Sequence, residues 1–235
     1  MIDDRVSEEA MKYIKGHVRD LIKRFADVVD YPPSDKPITI FMAGSPGAGK
    51  TEWSKSFIKE FKQKDPSTSI VRIDADDIRE MMPQYTGSNS CDVQAAAIKG
   101  VEKLFDHVQK HHQNAIVDGT FAHYNISSRD VMRALGRGRS VGIFYIYQDP
   151  LLAWSFTKMR EALEHRAVSK EVFINDYFAA QENVNKIKAE LGSKIELHLI
   201  IKDLRNRTKK QYFKIEKLEG YLKTKYNRED LEKNI

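Results

Sequence analysis

The sequence has little cysteine, no long apolar run and no net charge over most of its length. Cys91 is the single cysteine among 235 residues, which excludes a disulfide within the chain and a zinc site built on paired thiolates. No run reaches the about 18 apolar residues of a membrane-spanning helix, and residues 1–4 lead into a charged amphipathic stretch rather than a secretory signal. A cytoplasmic protein without a membrane segment is therefore expected.

The net charge of +5 lies entirely in the C-terminal tail, because residues 202–235 carry 11 Lys and Arg against 6 Asp and Glu. These cations alternate with apolar residues at helical spacing, which favours a surface helix with one packed face. A contact surface for an acidic partner or RNA is the alternative. The apolar residues of this pattern are Tyr212, Phe213, Ile215, Leu218, Tyr221 and Leu222.

The composition, 41% hydrophobic and 31% charged, is that of a globular domain with small appendages and excludes a disordered or collagen-like chain. Residues 7–29 have the spacing of an amphipathic helix, and Pro32, Pro33 and Pro37 then interrupt regular structure. We therefore divide the chain into an N-terminal helix and linker (1–36), a main domain (37–203) and a basic helical extension packed on it (204–235).

The main domain alternates short apolar runs with longer helical patterns, which predicts an α/β fold. Strands connected through helices run parallel, so we expect a doubly wound, mostly parallel sheet of about five strands with helices on both faces. The predicted strands are 38–42, 70–73, 115–117, 141–147 and 195–201. The predicted helices are 50–62, 92–112, 125–135, 150–164 and 170–191.

A phosphate-binding loop follows the first predicted strand and precedes a helix, the context that such a motif requires. Its glycines let backbone N–H groups turn towards phosphates, its lysine adds a charge at the transferring phosphate, and its threonine offers a hydroxyl to Mg²⁺. The motif therefore predicts binding of ATP or GTP with magnesium. It consists of Gly44, Ser45, Pro46, Gly47, Ala48, Gly49, Lys50 and Thr51.

Three aspartates follow the second predicted strand. Asp74 and Asp76 alternate onto one side of an extended chain, at the sheet edge beside the phosphate loop if the two strands are neighbours. A carboxylate there can accept a proton from an attacking hydroxyl or hold Mg²⁺ through water. We favour Asp76 as the general base and Asp77 as a helix cap, although capping is open for either residue.

The third predicted strand ends in Asp118, Gly119 and Thr120. Asp118 could assist Mg²⁺ beside Thr51, bind an acceptor hydroxyl, or serve only the turn. Farther along, Arg160 and Arg166 lie on and just after a predicted helix. Phosphoryl transfer needs cations for its developing charge, whereas two arginines on a solvated helix face would have no such role.

These residues together resemble the zeta toxin family of phosphate-loop kinases, which is related to small phosphotransferases such as chloramphenicol phosphotransferase. The resemblance covers residues 41–177 and consists of five motifs in order. They are the loop at residues 44–51, then Asp74, Asp76, Arg79 and Pro83, then Asp118-Gly119-Thr120, then Arg160, and then Arg166-Ala167-Val168-Ser169-Lys170.

The resemblance implies a kinase that transfers the γ-phosphate of a nucleoside triphosphate to a sugar hydroxyl of UDP-N-acetylglucosamine, with a separate antitoxin as protein partner. It implies that Asp76 is the base, that Lys50 and the two arginines hold the phosphates, and that Asp118 and Thr120 contact the acceptor.

Two alternatives stay open. A kinase of a nucleic-acid base or end, or of a nucleoside-like substrate, would use the basic tail for docking. A nucleotide-sensing module without transfer would need no base, so the carboxylate of Asp76 argues against it.

Overall fold

The computed structural model describes residues 2–164, 167–222 and 226–235. Within these ranges the strands are β1 (Ile38–Ala43), β2 (Ile70–Asp74), β3 (Asn114–Asp118), β4 (Ser140–Tyr147), β5 (Glu196–Lys202) and β6 (Thr208–Tyr212). They form one sheet in the order β2-β3-β1-β4-β5-β6, in which β1 to β5 are parallel and β6 is antiparallel to β5. The predicted α/β class with a mostly parallel sheet is confirmed, with one strand more than expected.

Helices occupy the connections between the parallel strands and also precede β1 and follow β6. In chain order they are α1 (Asp4–Gly16), α2 (Val18–Phe25), α3 (Lys50–Lys64), α4 (Ala75–Arg79), α5 (Gln94–Lys110), α6 (Tyr124–Gly136), α7 (Pro150–Glu164), α8 (Lys170–Leu191) and α9 (Arg228–Asn234). In the described part of the chain, each helix is too short or too polar to cross a lipid bilayer.

Strand β1 is apolar apart from Thr39 because both faces of the sheet are covered. Ile40 and Met42 point to the smaller apolar cluster, where Trp53 of α3 packs. Phe41 and Ala43 point to the larger core on the other face, where the Phe41 ring lies 5.9 Å from the ring of Phe105 in α5. Burial of these side chains on both faces stabilises the centre of the sheet, from which the phosphate loop emerges.

The N-terminal helix predicted over residues 7–29 is two helices, α1 and α2, which separate at His17. Gly16 has low helix propensity, and His17 then leaves helical geometry. The His17 ring stacks on Tyr13 at 4.1 Å, and its Nδ1 lies 2.8 Å from the Tyr13 carbonyl oxygen. Both helices pack on α5, with Ile14 and Leu21 fully buried.

The prediction of a helical extension over residues 204–235 is wrong for its first part. Thr208–Tyr212 is strand β6, which pairs with β5 through a tight turn. In that turn the Asp203 carboxylate accepts hydrogen bonds from the backbone N–H groups of Arg205 and Arg207. Asn206 has a positive φ of 58°, which asparagine tolerates better than most residues. Pairing with the edge of β5 therefore decides the structure of this segment against its helical spacing. In the described part of the tail, only α9 is helical.

The condition that β2 neighbours β1, on which Asp74 and Asp76 were placed beside the phosphate loop, is not met, because β3 lies between the two strands. Asp74, the last residue of β2, is directly opposite Asp118, the last residue of β3. The two carboxylates that the sequence placed on separate strands are therefore brought together one strand away from the phosphate loop.

Candidate active site

The phosphate-binding loop, residues 44–51, connects β1 to α3 at the carboxyl edge of the sheet. Gly44 and Gly47 have φ angles of 134° and 71°, which favour glycine. A Cβ atom on Gly44 would lie 2.3 Å from the Ile146 carbonyl oxygen, and one on Gly47 would lie 2.0 Å from that of Ala153. Both glycines are therefore required by the backbone path and by the close approach of β4 and α7.

Lys50 and Thr51 begin α3, so the N-terminus of a 15-residue helix points at the space enclosed by the loop. The Lys50 ammonium donates hydrogen bonds to the carbonyl oxygens of Gly44 and Ser45, at 2.9 and 2.7 Å. A helix N-terminus with a lysine charge over it favours anions. The loop thus has the geometry of a phosphate site.

Arg72 of β2 lies at the centre of a carboxylate cluster. Its guanidinium forms ion pairs with Asp74, Asp77 and Asp118, at 3.2 Å in the case of Asp118, and donates to the Ser54 hydroxyl of α3 at 3.3 Å. Burial, followed by the negative charges of Asp118 and Asp76, raises the pKa of Asp74 to about 7, against the opposing charge of Arg72. One largely buried cation therefore contacts three carboxylates, those of Asp74 and Asp118 at the ends of β2 and β3 and that of Asp77 in α4.

The helix cap at this position is Asp74 rather than Asp77. The Asp74 carboxylate accepts a hydrogen bond from the backbone N–H of Asp76 at 2.8 Å, and α4 begins at the next residue, Ala75. Asp77 is already inside the helix and turns back to Arg72. The predicted cap was misplaced because strand β2 extends one residue farther than expected.

Asp118 is turned inward. Its side chain is only 4% exposed, and its carboxylate accepts hydrogen bonds from the Ser54 hydroxyl and from Arg72, both at 3.2 Å. This orientation directs the predicted acceptor-binding carboxylate towards α3 and Arg72 instead of the open edge of the sheet.

Asp76 lies in the first turn of α4 and pairs with two arginines. Arg79 reaches it from the next turn of the helix, and Arg160 of α7 reaches it from 84 residues away in the chain, at 3.4 Å. The Asp76 side chain is 28% exposed and that of Arg160 is 40% exposed. The predicted base and one predicted phosphate-binding arginine are therefore in contact at an accessible position. Arg166 lies outside the described residues.

Thr120 is bonded to the phosphate loop, because its carbonyl oxygen accepts a hydrogen bond from the Gly44 N–H at 3.1 Å. Sequence reasoning missed a second residue of this region, the half-buried Asp176 of α8. Burial raises the pKa of Asp176, while the charges of Lys50 and His123 and the hydrogen bond from Thr120 act to lower it. No local motif marks Asp176, because only the packing of α8 brings it to the loop.

The loop after Thr120 is held by Asn183 of α8. The buried Asn183 amide donates to the carbonyl oxygens of Phe121 and Ala122, at 3.1 and 2.8 Å, and Phe121 has a positive φ of 65°. A non-glycine residue in this conformation persists only when its surroundings hold it.

We expect Asn183→Ala to destabilise the fold by about 1 to 3 kcal/mol, because one buried and one partly buried carbonyl group lose their donor. Denaturant unfolding measures the change. Glu182→Ala, at an exposed position on the same helix, should change stability by less than about 0.5 kcal/mol. Equal stability of the two variants would show that the Asn183 hydrogen bonds contribute nothing.

For a metal ion, the described residues offer no group of three or more histidine, cysteine or acidic side chains with suitable placement. Arg72 already engages Asp74 and Asp118, the two carboxylates considered for Mg²⁺. Of the Mg²⁺ ligands predicted from the sequence, the Thr51 hydroxyl at the loop is the one that Arg72 does not engage. A single hydroxyl fits Mg²⁺ that arrives on a nucleotide, since this ion keeps several waters and phosphate oxygens as ligands.

The chain is similar to known proteins in sequence and in structure. The family model described as zeta toxin matches residues 22–215. The toxin PezT of Streptococcus pneumoniae serotype 4 is 29% identical over 134 residues. That alignment covers 54% of this chain and 51% of PezT, so the chain spans about half the length of the curated relative that it matches.

Solved structures share the fold. A chain from the PezAT chromosomal toxin-antitoxin system of Streptococcus pneumoniae superposes with a TM-score of 0.60 and 22% identity, over 87% of this chain and 80% of the other. A chain of the AvrRxo1-ORF1:AvrRxo1-ORF2 complex with sulphate ions gives a TM-score of 0.59 and 14% identity, over 92% and 70%. The same complex with ATP gives 0.56 and 13%, over 89% and 64%.

Proposed function

The chain belongs to the zeta toxin family, and from this membership we propose that it is a kinase that transfers the γ-phosphate of ATP or GTP to a sugar hydroxyl of UDP-N-acetylglucosamine. The observation that carries the proposal is the contact of Arg160 with Asp76 at the sheet edge where the phosphate loop opens. A carboxylate and an arginine cation at one accessible position match the needs of phosphoryl transfer to a hydroxyl.

In the proposed reaction, Asp76 accepts the proton of the attacking hydroxyl while the oxygen of that hydroxyl bonds to the γ-phosphorus. The bond from the γ-phosphorus to its bridging oxygen breaks, and the nucleoside diphosphate leaves. Lys50 and Arg160 stabilise the charge that develops on the phosphate oxygens, a part that we also assign to Arg166. The Thr51 hydroxyl would contact a Mg²⁺ ion that arrives on the phosphates, and that ion would supply charge neutralisation between them when bound.

The acceptor side of the site is proposed to include Thr120, with Asp118 and Asp74 in supporting roles. Arg72 holds both carboxylates, so they would shape the acceptor side through the position of β2 and β3.

The direct test incubates the purified chain with Mg-ATP or Mg-GTP and UDP-N-acetylglucosamine, and follows the phosphorylated nucleotide sugar by mass spectrometry. Formation of that product with a free hydroxyl consumed supports the proposal. Product from nucleosides or 5′-hydroxyl oligonucleotides instead would assign the acceptor to another class.

The proposed role of Arg160 can be tested separately from the identity of the acceptor. We expect Arg160→Ala to lower kcat by roughly 10², with a smaller change in the KM for ATP, because the lost charge acts mainly in the transition state. Lys158→Ala removes an exposed cation from the same helix, where Lys158 pairs with Glu161, and should stay near the wild-type rate. Wild-type kinetics in both variants would show that Arg160 has no part in phosphoryl transfer and is an arginine of a solvated helix face.

The toxin assignment is a second part of the proposal. The sequence relative is named a toxin, and a structural relative comes from a toxin-antitoxin system. We propose that this chain inhibits growth through its kinase activity and that a separate antitoxin protein restrains it. Induced expression should stop bacterial growth, and growth arrest by an inactive variant would separate toxicity from phosphoryl transfer.

One observation favours a second candidate, a kinase of a nucleic-acid end or nucleoside-like acceptor. A cavity of about 720 Å³ beside the ends of β4 and β5 and beside β6 is lined by five cations, together with tyrosines, apolar side chains and the carboxylates of Asp149 and Asp203. Asn206, in the β5–β6 turn, packs against Gly49 of the phosphate loop, so this basic cavity is adjacent to the candidate site. Oligonucleotide binding with a steep salt dependence would support this candidate. The cations of the cavity are Lys202, Arg205, Arg207, Lys209 and Lys210.

A further inference from the structure

Helix α4, which carries Asp76, has only five residues and cannot fix its own position. A helix of this length is unstable in isolation, so contacts with neighbouring elements must hold it. Helix α5 provides such a contact. Ile78 of α4 is fully buried, and a Cβ atom on Gly100 of α5 would lie 2.7 Å from the Cγ2 atom of Ile78. The lack of a side chain at Gly100 therefore lets α4 pack closely on α5.

The guanidinium of Arg79 joins α5 to Asp76. Arg79 is the last residue of α4 and is only 3% exposed. Its Nη1 donates a hydrogen bond to Oδ1 of Asp76, and its Nη2 donates one to Oε1 of Gln94, the first residue of α5. A buried guanidinium needs acceptors for its N–H groups, and its planar shape fixes the directions in which they lie. The positions of Asp76 and Gln94 are therefore linked through one rigid group.

The two oxygens of the Asp76 carboxylate face different surroundings. Oδ1 is bonded to the buried Arg79, whereas Oδ2 lies 3.4 Å from Nη2 of Arg160, on the accessible side. A hydrogen bond from a buried neighbour restricts the rotation of the carboxylate about its side-chain bonds. Arg79 thus directs Oδ2 to the side from which an acceptor hydroxyl approaches.

We propose that Gln94 and Arg79 are positioning residues of the transfer reaction, and that Oδ2 of Asp76 is the oxygen that receives the proton. Gln94 holds Arg79, and Arg79 holds Asp76. This assignment rests on the proposed kinase function, in which Asp76 is the base. The acceptor O–H bond breaks, its proton goes to Oδ2, and its oxygen bonds to the γ-phosphorus, while the nucleoside diphosphate leaves with the electron pair of the broken P–O bond. Gln94 and Arg79 act on this step only through the orientation of Asp76.

The test compares Gln94→Met with Gln94→Glu in transfer from Mg-ATP to UDP-N-acetylglucosamine, or to whichever other tested acceptor the wild type uses. Methionine keeps the length of the side chain but is a weak acceptor, so Arg79 loses its bond to α5 and kcat should fall by about 10-fold. The KM values for ATP and the acceptor should change by less than about 3-fold. Glutamate restores an acceptor oxygen and should keep kcat within about 3-fold of the wild type. Lys99→Ala, on the same helix, removes a cation that pairs with Glu102 and should leave kcat and both KM values unchanged.

Coupling to Asp76 separates a positioning role from a structural one. In Asp76→Asn the base is absent, so Gln94→Met should cause no further loss, and the double variant should have the kcat of Asp76→Asn. A residue that only supports the fold would lower the rate by the same factor in both backgrounds. Arg79→Lys keeps the charge but not the planar fork, so it should show the same fall in kcat and the same coupling.

Thermal unfolding of each variant identifies any loss of fold, and Arg79→Lys keeps the test valid if Gln94→Met does not fold. A folded Gln94→Met chain with the wild-type kcat overturns the assignment, and so does an equal loss in the two backgrounds. A raised acceptor KM with an unchanged kcat would make Gln94 a substrate-binding residue, and would also overturn it. A wild-type chain that phosphorylates none of the acceptors overturns the proposed function itself, and this assignment with it.

Discussion

We expect Lys50→Ala to lower phosphoryl transfer by roughly 10³ while the chain still folds. The ammonium of Lys50 is the side-chain cation of the phosphate loop, and loss of one such group from a transition state costs about 10² to 10³ in rate. Lys50 already lies over the loop, on the carbonyl oxygens of Gly44 and Ser45, and is positioned to exchange these for phosphate oxygens. Product formation under saturating Mg-ATP measures the effect.

The fold should survive because the loop conformation is a property of its backbone. Gly44 and Gly47 set the path of the loop, and alanine at position 50 is a good residue for the first turn of α3. Lys55→Ala, at an exposed position on α3, is the matched control and should be active. A folded Lys50→Ala protein with the wild-type rate would show that the nucleotide does not bind at this loop.

The strands and the phosphate loop were predictable because their signals are local. A parallel strand with both faces buried is mostly apolar, as Ile40 and Phe41 illustrate. Glycine at positions 44 and 47 follows from the turn that surrounds phosphate groups. Element types therefore agreed with the structure for each predicted parallel strand, with ends that differ by one residue.

Relations between strands were not predictable from local patterns. The insertion of β3 between β1 and β2 is a choice of topology, and it alone brings Asp74 opposite Asp118. The role of Arg72 depends on that pairing. The alternation of side chains along β2 predicts the face of the sheet on which Arg72 lies, but it does not predict which carboxylates Arg72 contacts. Asp176 was missed for the same reason, because it reaches the site only through the packing of α8.

The C-terminal tail shows that helical spacing of residues does not by itself predict a helix. Cations and aromatic residues after Lys202 fit a helical spacing, yet Thr208–Tyr212 forms β6 because the edge of β5 offers backbone hydrogen bonds along its length. Phe213, predicted on the packed face of a helix, is 57% exposed, whereas Ile215 and Leu218 are buried. The secondary structure of a short segment with such a pattern is set by the neighbouring strand edge and not by the spacing within the segment.

The second large effect is expected at Asp76. If Asp76 accepts the proton of the acceptor hydroxyl, Asp76→Asn should lower kcat by about 10² to 10⁴, because asparagine keeps the size of the side chain but is not a base. ATP binding should persist, since the loop and Lys50 are unchanged. Calorimetric titration with Mg-ATP and the rate of product formation separate the two properties.

Asp77→Asn is the matched comparison, one residue away in the same short helix. Asp77 pairs with Arg72, which keeps Asp74 and Asp118 as partners when the Asp77 charge is lost. Its side chain is 36% exposed, so the change should cost little stability and leave turnover within a few-fold of the wild type. If Asp77→Asn were inactive and Asp76→Asn active, the base would be the residue that faces Arg72. Activity in both variants with every acceptor tested would exclude general-base catalysis at this pair and favour a module that senses nucleotide without transferring phosphate.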